Sequence, residues 1–170
     1  MANHCRRSYP PLGSGIRPGP PPESGWPTEQ PIPRLPRIPR ANVDPIRSST
    51  DALAVVSAVM DHPMEAQTIV MLLDAVRLGE RVLLINHTGN ATDLCTVVEG
   101  VCSNYAEPDT RAIVVATVRP AGATRPGDID LWLEASALAE SFGIELLELF
   151  VFGPARPESP RDLIGEPERW

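Results

Sequence analysis

The sequence predicts an α/β protein, a three-layer mixed-sheet sandwich with the element order α-β-β-α-β-α-β. Three observations predict it. Four short apolar or β-branched runs alternate with stretches whose apolar residues recur at helical spacing. These elements occupy residues 49–153, the size of one ordinary domain. Proline is unevenly spread, with 12 of the 20 in residues 1–45, so a Pro-rich tail precedes a domain of normal composition.

The first helix follows Thr50, a residue type that caps helices, with Asp51 in the first turn and a stop at His62-Pro63. Its apolar residues are Ala52, Leu53, Val55, Val56, Val59 and Met60. Thr68–Asp74 is a continuous apolar run closed by a charge, which reads as a buried strand. After Gly79, Arg81–Asn86 reads as its hairpin partner. Leu94, Cys95, Val97, Val98, Val101, Cys102 and Tyr105 then recur at helical spacing, with Thr92 or Asp93 as the cap. Arg111–Val118, rich in β-branched residues, is a third strand. A Gly/Pro loop over 119–127 leads to Asp128 and a third helix with a buried stripe of Leu131, Ala135, Leu138, Ala139 and Phe142. Gly143 ends that helix, and Ile144–Phe152 is the fourth strand. Trp132 falls off the stripe, which suits either a helix–helix dimer contact or packing under a tail.

The flanks differ from the domain. Residues 1–48 read as a disordered Pro/Arg-rich tail, and 154–170 as a mostly unstructured, flexible C-terminal tail. Within the first, Pro33, Pro36 and Pro39 repeat at the three-residue turn of a polyproline II helix, so a docking segment for an acidic, aromatic-lined groove is the alternative to simple disorder. Residues 1–45 hold six Arg against three acids, a charge of +3; the rest holds nine Arg against 19 acids, −10, and the whole chain is −7. So acidic a domain repels phosphate backbones, which argues against direct nucleic-acid binding. No apolar run is long enough to cross a membrane, and no secretory signal is evident. Three cysteines form neither an even disulfide set nor a Cys-x-x-Cys pair, as expected for a reducing cytoplasm.

Several chemistries lack their residues. With no lysine there is no phosphate-binding Gly-x-x-x-x-Gly-Lys loop, and no Gly-x-Gly-x-x-Gly follows a strand. There is no Gly-x-Ser-x-Gly elbow. The His-x-Glu and Pro-Cys-x-x-Cys signatures of the zinc deaminases are absent, although the layering is of their general type. His87, Cys95 and Cys102 could form a metal set, but both cysteines lie on an apolar stripe, where cysteine acts as a small hydrophobe. Cys95 near a helix start and His87 could also make a nucleophile pair.

The loop after the third strand runs Thr117-Val-Arg119-Pro120-Ala-Gly122-Ala-Thr-Arg125-Pro126-Gly127-Asp128-Ile-Asp130. It resembles the RadC family, whose JAB/MPN-type (deaminase-like) domain carries His-x-His-Pro-Ser-Gly-Asp-x-x-Pro-Ser-x-x-Asp at this place. Pro120, Gly122, Pro126 and Asp130 are in register. Leu73-Asp74 and the run Gly143–Gly153 extend the resemblance to about residues 50–153. In that family two His and one Asp hold zinc, a Ser hydrogen-bonds nearby and an upstream Glu handles the proton. Here Thr117 and Arg119 stand at the His positions, Gly127 at the Ser position, and Asp130 alone is kept. Glu65 is the nearest match for the upstream Glu, ahead of Glu80.

Zinc needs three or four donors at about 2.0–2.3 Å, and a guanidinium is never one of them. The resemblance therefore implies a degenerate pocket of Thr117, Arg119, Gly127 and Asp130 with no catalytic residue, metal or cofactor. The implied role is a non-catalytic protein-binding or scaffold module, with a protein partner or a second copy. The family name adds an association with DNA repair. The enzyme alternative is a metal-dependent hydrolase or isopeptidase with an atypical site; a third class is nucleic-acid binding through the tail. Arg119 and Arg125 flank a turn that feeds a helix N-terminus, where an anion could bind. Against this, both arginines can pair with Asp128 and Asp130 on the same turn.

Overall fold

The computed structural model describes residues 37–88, 91–122 and 124–170. Helix α1 spans Ser49–Val59 and begins two residues earlier than a cap at Thr50 would give. Ser48 is in the extended region, and its hydroxyl accepts the N–H of Asp51 at 3.2 Å. Thr50 already has helical backbone, so its side chain cannot fill that role. Ala52 and Val56, one turn apart, are fully buried.

Strands β1 (Gln67–Asp74) and β2 (Gly79–Asn86) form the expected antiparallel hairpin. Asp74 Oδ1 accepts the N–H groups of Val76 and Leu78 at 2.9 and 2.8 Å, and Arg77 takes a φ of 67° to close the turn. Next come α2 (Ala91–Asn104), β3 (Thr110–Val118), α3 (Gly127–Ser141) and β4 (Glu145–Phe152). Since α2 starts at Ala91, Thr92 and Asp93 lie within its first turn and neither is the residue before it. The four strands make one mixed sheet in the order β2-β1-β3-β4, with only β3 and β4 parallel. That pair is joined through α3, as a parallel pair needs a crossover.

Side chains alternate across the sheet, and those of β1, β3 and β4 are buried on both faces. Val70, Leu72, Ile113, Val115, Leu146 and Leu149 pack beneath α2 and α3. Ile69, Met71, Ala112, Val114, Leu147 and Phe150 pack against α1. Three layers follow directly, because strands apolar on both faces need a cover on each. Helix α3 ends in paired bonds from Gly143 N–H to Glu140 and from Ile144 N–H to Ala139, with Gly143 at φ 72°. Phe142, expected in the buried stripe, is the residue after the last helical turn and is exposed. Tyr105 is exposed for the same reason, just past the end of α2.

Both flanks depart from expectation. The tail assigned to 1–48 includes residues that belong to the domain; its residues 1–36 lie outside those described. Asn42 N–H bonds to Gly79, Ile46 N–H bonds to Arg77, and Ile46 is only 2% exposed beneath α1. The C-terminal segment 154–170 is not an unstructured tail. Glu158 exchanges two backbone hydrogen bonds with Val151 on the outer edge of β4, at 2.8 and 3.0 Å. A 3-10 helix follows over Pro160–Ile164. The Arg169 guanidinium lies 5.0 Å from the Trp132 ring centre, and Glu168 accepts from Ser49 on α1. Trp132, 1% exposed, is therefore a core residue roofed by this segment, the second of its two expected settings.

A buried ion pair holds that segment down. Relative to β3, strand β4 carries one extra residue between Leu146 and Glu148, and Glu148 is fully buried. Its carboxylate accepts Arg161 Nε at 2.8 Å and Nη2 at 2.7 Å, Ser159 Oγ at 2.5 Å, and the N–H of Leu149 at 3.2 Å. Arg161 Nη1 donates to the Glu166 carbonyl at 2.8 Å. Composition alone makes these residues look solvated; thirteen positions apart, they are a satisfied pair only once the chain has folded back. Arg161→Ala leaves Glu148 buried without its cation and should lower the unfolding free energy by about 3–5 kcal/mol. Glu148→Leu with Arg161→Met should regain most of that loss. Urea midpoints at fixed slope check both, and a single-variant loss of less than about 1 kcal/mol would show that the pair does not hold the segment.

Candidate functional site

The site suggested by the sequence lies where β3 and β4 end side by side and α3 begins. In α/β sheets this carboxyl edge of parallel strands is the usual place for ligands. The N–H of Arg119 donates to Phe152 at 2.8 Å, so the loop leaves the sheet from a fixed point. It then turns back at once, the N–H of Gly122 meeting the Arg119 carbonyl at 2.9 Å. A Cβ at Gly122 would stand 3.3 Å from Arg119 Cβ, so the close turn leaves little room for a side chain there.

Arg119 is bent into this turn and buried. Its Nη1 and Nη2 donate to the two carboxylate oxygens of Asp128 at 2.9 and 2.7 Å. Asp128, also buried, accepts a third bond from the N–H of Arg125 at 2.6 Å. The two-pronged geometry matches the planar guanidinium to the planar carboxylate. It also places a negative charge in the first turn of α3, where the helix dipole favours one and where Pro126 supplies no side-chain cap. Arg119 Nε has no partner among the described residues. The anion pocket proposed for Arg119 and Arg125 is thus filled from within: Arg119 is neutralised by Asp128, and Arg125 is exposed.

The remaining positions are not gathered into a donor set. Thr117 is buried in β3, opposite Thr68 on β1 and Val151 on β4. Asp130 is exposed on the first turn of α3. Gly127 opens α3 with free space where a Cβ would stand, so packing does not require glycine there. Glu65 is exposed just before β1, at the end of the sheet where Gln67 pairs with Val118. Glu80 accepts from Thr110 Oγ1 at 2.8 Å, at the opposite end of β3. A zinc ion does not fit this arrangement: the one carboxylate beside Arg119 is spent on it, and a guanidinium fills the space.

The other candidates separate as well. His87 is exposed at a φ of 62°, ending the hairpin strand with its N–H on the Ala66 carbonyl. Cys95 Sγ lies 3.9 Å from Glu134, and burial with that nearby carboxylate pushes its thiol up, the reverse of what a nucleophile needs. Cys102 is buried, and burial raises its thiol to about 11. Among the described residues no three His, Cys, Asp or Glu side chains are close enough to share a metal ion. Four cavities of 130, 310, 300 and 380 Å³ indent the surface, and none of these four is lined by Thr117, Arg119, Gly127 or Asp130. The apolar one, 130 Å³ between Ile46, Val55, Met71 and Val82, is smaller than the ~300–1,000 Å³ of typical small-molecule sites.

One group escaped the sequence reading. Gln67 is fully buried, and both its amide nitrogen and oxygen lack partners among the described residues. It shares the α1-facing register of Ile69 and Met71, so it is separated by the sheet from Thr117. Its only sequence signal is a polar amide leading an otherwise apolar strand.

The chain matches no protein-family model and no curated protein sequence.

Arg119→Ala should cost about 3–5 kcal/mol in stability, since it strands a buried carboxylate, whereas Asp130→Ala should stay within about 0.5 kcal/mol. Equal losses in urea titrations would contradict the geometry. For Cys102 the folded thiol titrates above the unfolded one, so the folded state loses stability as pH rises from about 9 toward about 11. Cys102→Ala should flatten that decline, measured by denaturant midpoints across the same pH range.

Proposed function

We propose that this chain is a non-catalytic, RadC-like protein of JAB/MPN fold whose zinc site has been replaced, and that it works as a protein-binding or scaffold module. The observation that carries this reading is the buried Arg119–Asp128 pair. It stands at the strand end where the resembled family places a metal-binding histidine, and it substitutes a closed, self-neutralised contact for an open coordination sphere. Supporting it are the four-stranded mixed sheet between helical layers and the loop frame of Pro120, Gly122, Pro126 and Asp130. Charge favours a protein partner over a nucleic acid, because residues 46–170 carry −10. The RadC name alone ties the chain to DNA repair, and fold does not carry function.

Two measurements test this reading. The purified chain should hold no stoichiometric transition metal and should not cleave a fluorogenic isopeptide substrate in added zinc. Stoichiometric metal lost in Asp130→Ala, together with cleavage, would overturn the proposal in favour of a hydrolase. The alignment itself is tested by Thr117→His with Arg119→His: a folded double variant should bind zinc tightly, with Asp130 as its third protein ligand. A folded variant that ignores zinc would remove the RadC resemblance from the argument.

A further inference from the structure

We infer that the free edge of β2 pairs antiparallel with the β2 edge of a second copy of this chain, joining the two sheets into one about a two-fold axis at Leu83. The inference rests on the protein-binding reading, which it completes by naming the partner. With the order β2-β1-β3-β4, the sheet ends on β2 at one side and on β4 at the other. The β4 edge is met by the C-terminal segment, through Glu158 and Val151. Among the described residues, main chain meets β2 from outside only at Gly79, whose carbonyl accepts the N–H of Asn42 at 3.2 Å. The direction of the other main-chain groups follows from the hairpin. His87 donates its N–H to the Ala66 carbonyl at 2.8 Å, so the hydrogen-bonded pairs of the ladder are Thr68 with Ile85, Val70 with Leu83 and Leu72 with Arg81. The residues between them, Val82, Leu84 and Asn86, turn their N–H and C=O groups outward, where no other described main chain pairs with them.

Strand edges are normally guarded by proline, by charge or by a covering segment. The last five residues of β2, Val82-Leu83-Leu84-Ile85-Asn86, carry neither proline nor charge. Leu84 is 41% exposed and Val82, Leu83 and Ile85 are half-buried, whereas the neighbouring β1 is buried up to Asp74. The two charges of the strand are engaged within the chain, Glu80 by Thr110 at 2.8 Å and Arg81 by Glu107 at 2.7 Å. The register that overlaps residues 80–86 of both copies in full puts Leu83 opposite Leu83. Val82 and Leu84 of each copy then exchange hydrogen bonds with Leu84 and Val82 of the other. Both residues share the α1-facing side, so each exposed leucine lies beside a valine of the second copy. Arg81 falls opposite Ile85 and Glu80 opposite Asn86, so no like charges face each other. The contact also closes. Each outer edge of the joined sheet is a β4 edge lying along its own C-terminal segment, and the two-fold pairing uses both β2 edges. A foreign extended strand would satisfy the same groups while leaving its own outer edge open.

The test is analytical sedimentation of the full, untagged chain. A species of twice the 18.4 kDa chain mass should accumulate between about 1 and 100 μM. It should form more readily in about 0.5 M than in about 0.05 M salt, because copies of net charge −7 repel each other while the paired segment is neutral. Leu84→Lys puts a charge on the exposed edge, and Leu84→Pro removes an outward N–H that β1 does not use. Each variant, shown to be folded by circular dichroism, should associate roughly tenfold more weakly or worse. With Cys5, Cys95 and Cys102 replaced by alanine, Leu83→Cys should cross-link two copies under mild oxidation, since an antiparallel pair of this kind brings its Cα atoms to about 4.5 Å. Val76→Cys, on the exposed hairpin turn, should not. A monomer at every concentration, a dimer indifferent to both Leu84 variants, equal cross-linking at the two positions, or assemblies growing beyond two copies would each overturn the proposal. A monomer that binds an alternating valine–threonine decapeptide, followed by anisotropy, would overturn it by giving the edge to a foreign strand. Should the dimer fail while the chain remains free of metal and isopeptidase activity, the scaffold reading survives and only the second copy is lost.

Discussion

Strands β1 and β3 are apolar on both faces, and most of the architecture answers that constraint. Each face must be removed from water, so α1 covers one and α2 with α3 the other. The same demand reaches the sheet edge at β4, which is also buried along its length. There no further strand is added among the described residues, and the C-terminal segment lies alongside, through two backbone bonds to Val151 and the 3-10 helix beyond. The backbone groups of Val151 are thereby paired, and the segment covers part of an edge that would otherwise invite association.

Covering an edge in this way puts polar groups into the interior, and the protein satisfies the charged ones in matched pairs. Glu148 meets Arg161 and Ser159 where the C-terminal segment crosses β4. Asp128 meets Arg119 where β3 gives way to α3. Both arginines make charge-assisted bonds to a carboxylate that water does not reach, the setting in which loss of one partner is most costly. The second pair also has a chemical consequence. It spends the cation and the anion at the carboxyl edge of the parallel strands on each other, and Asp130 stays exposed, with no metal-sharing cluster of side chains among the described residues.

The charges at that edge thus neutralise each other, while the residues just before the domain are exposed. Arg37, Ile38 and Arg40 are presented to solvent beside a domain fastened down by Ile46.

The sequence by itself determined the type and order of the elements. Strands with continuous apolar runs and helices with apolar stripes announce themselves locally, because burial on one or both faces dictates their period. Gly143 marked the end of α3 for an equally local reason, the left-handed conformation a helix terminus needs. In the loop 117–130 Asp128 could likewise be named from the sequence as a partner for Arg119, because the two lie on one turn. What the tertiary structure decided was every contact between segments that local period cannot relate. Ser48 rather than Thr50 caps α1 because backbone conformation, not residue type, selects the cap. Ile46 belongs to the core although it follows twelve prolines, because the chain before α1 returns to bond with Arg77 and packs beneath that helix. The C-terminal residues looked solvated because their charges are visible in sequence and their partners are not; Arg161 is buried only because Glu148 is waiting there.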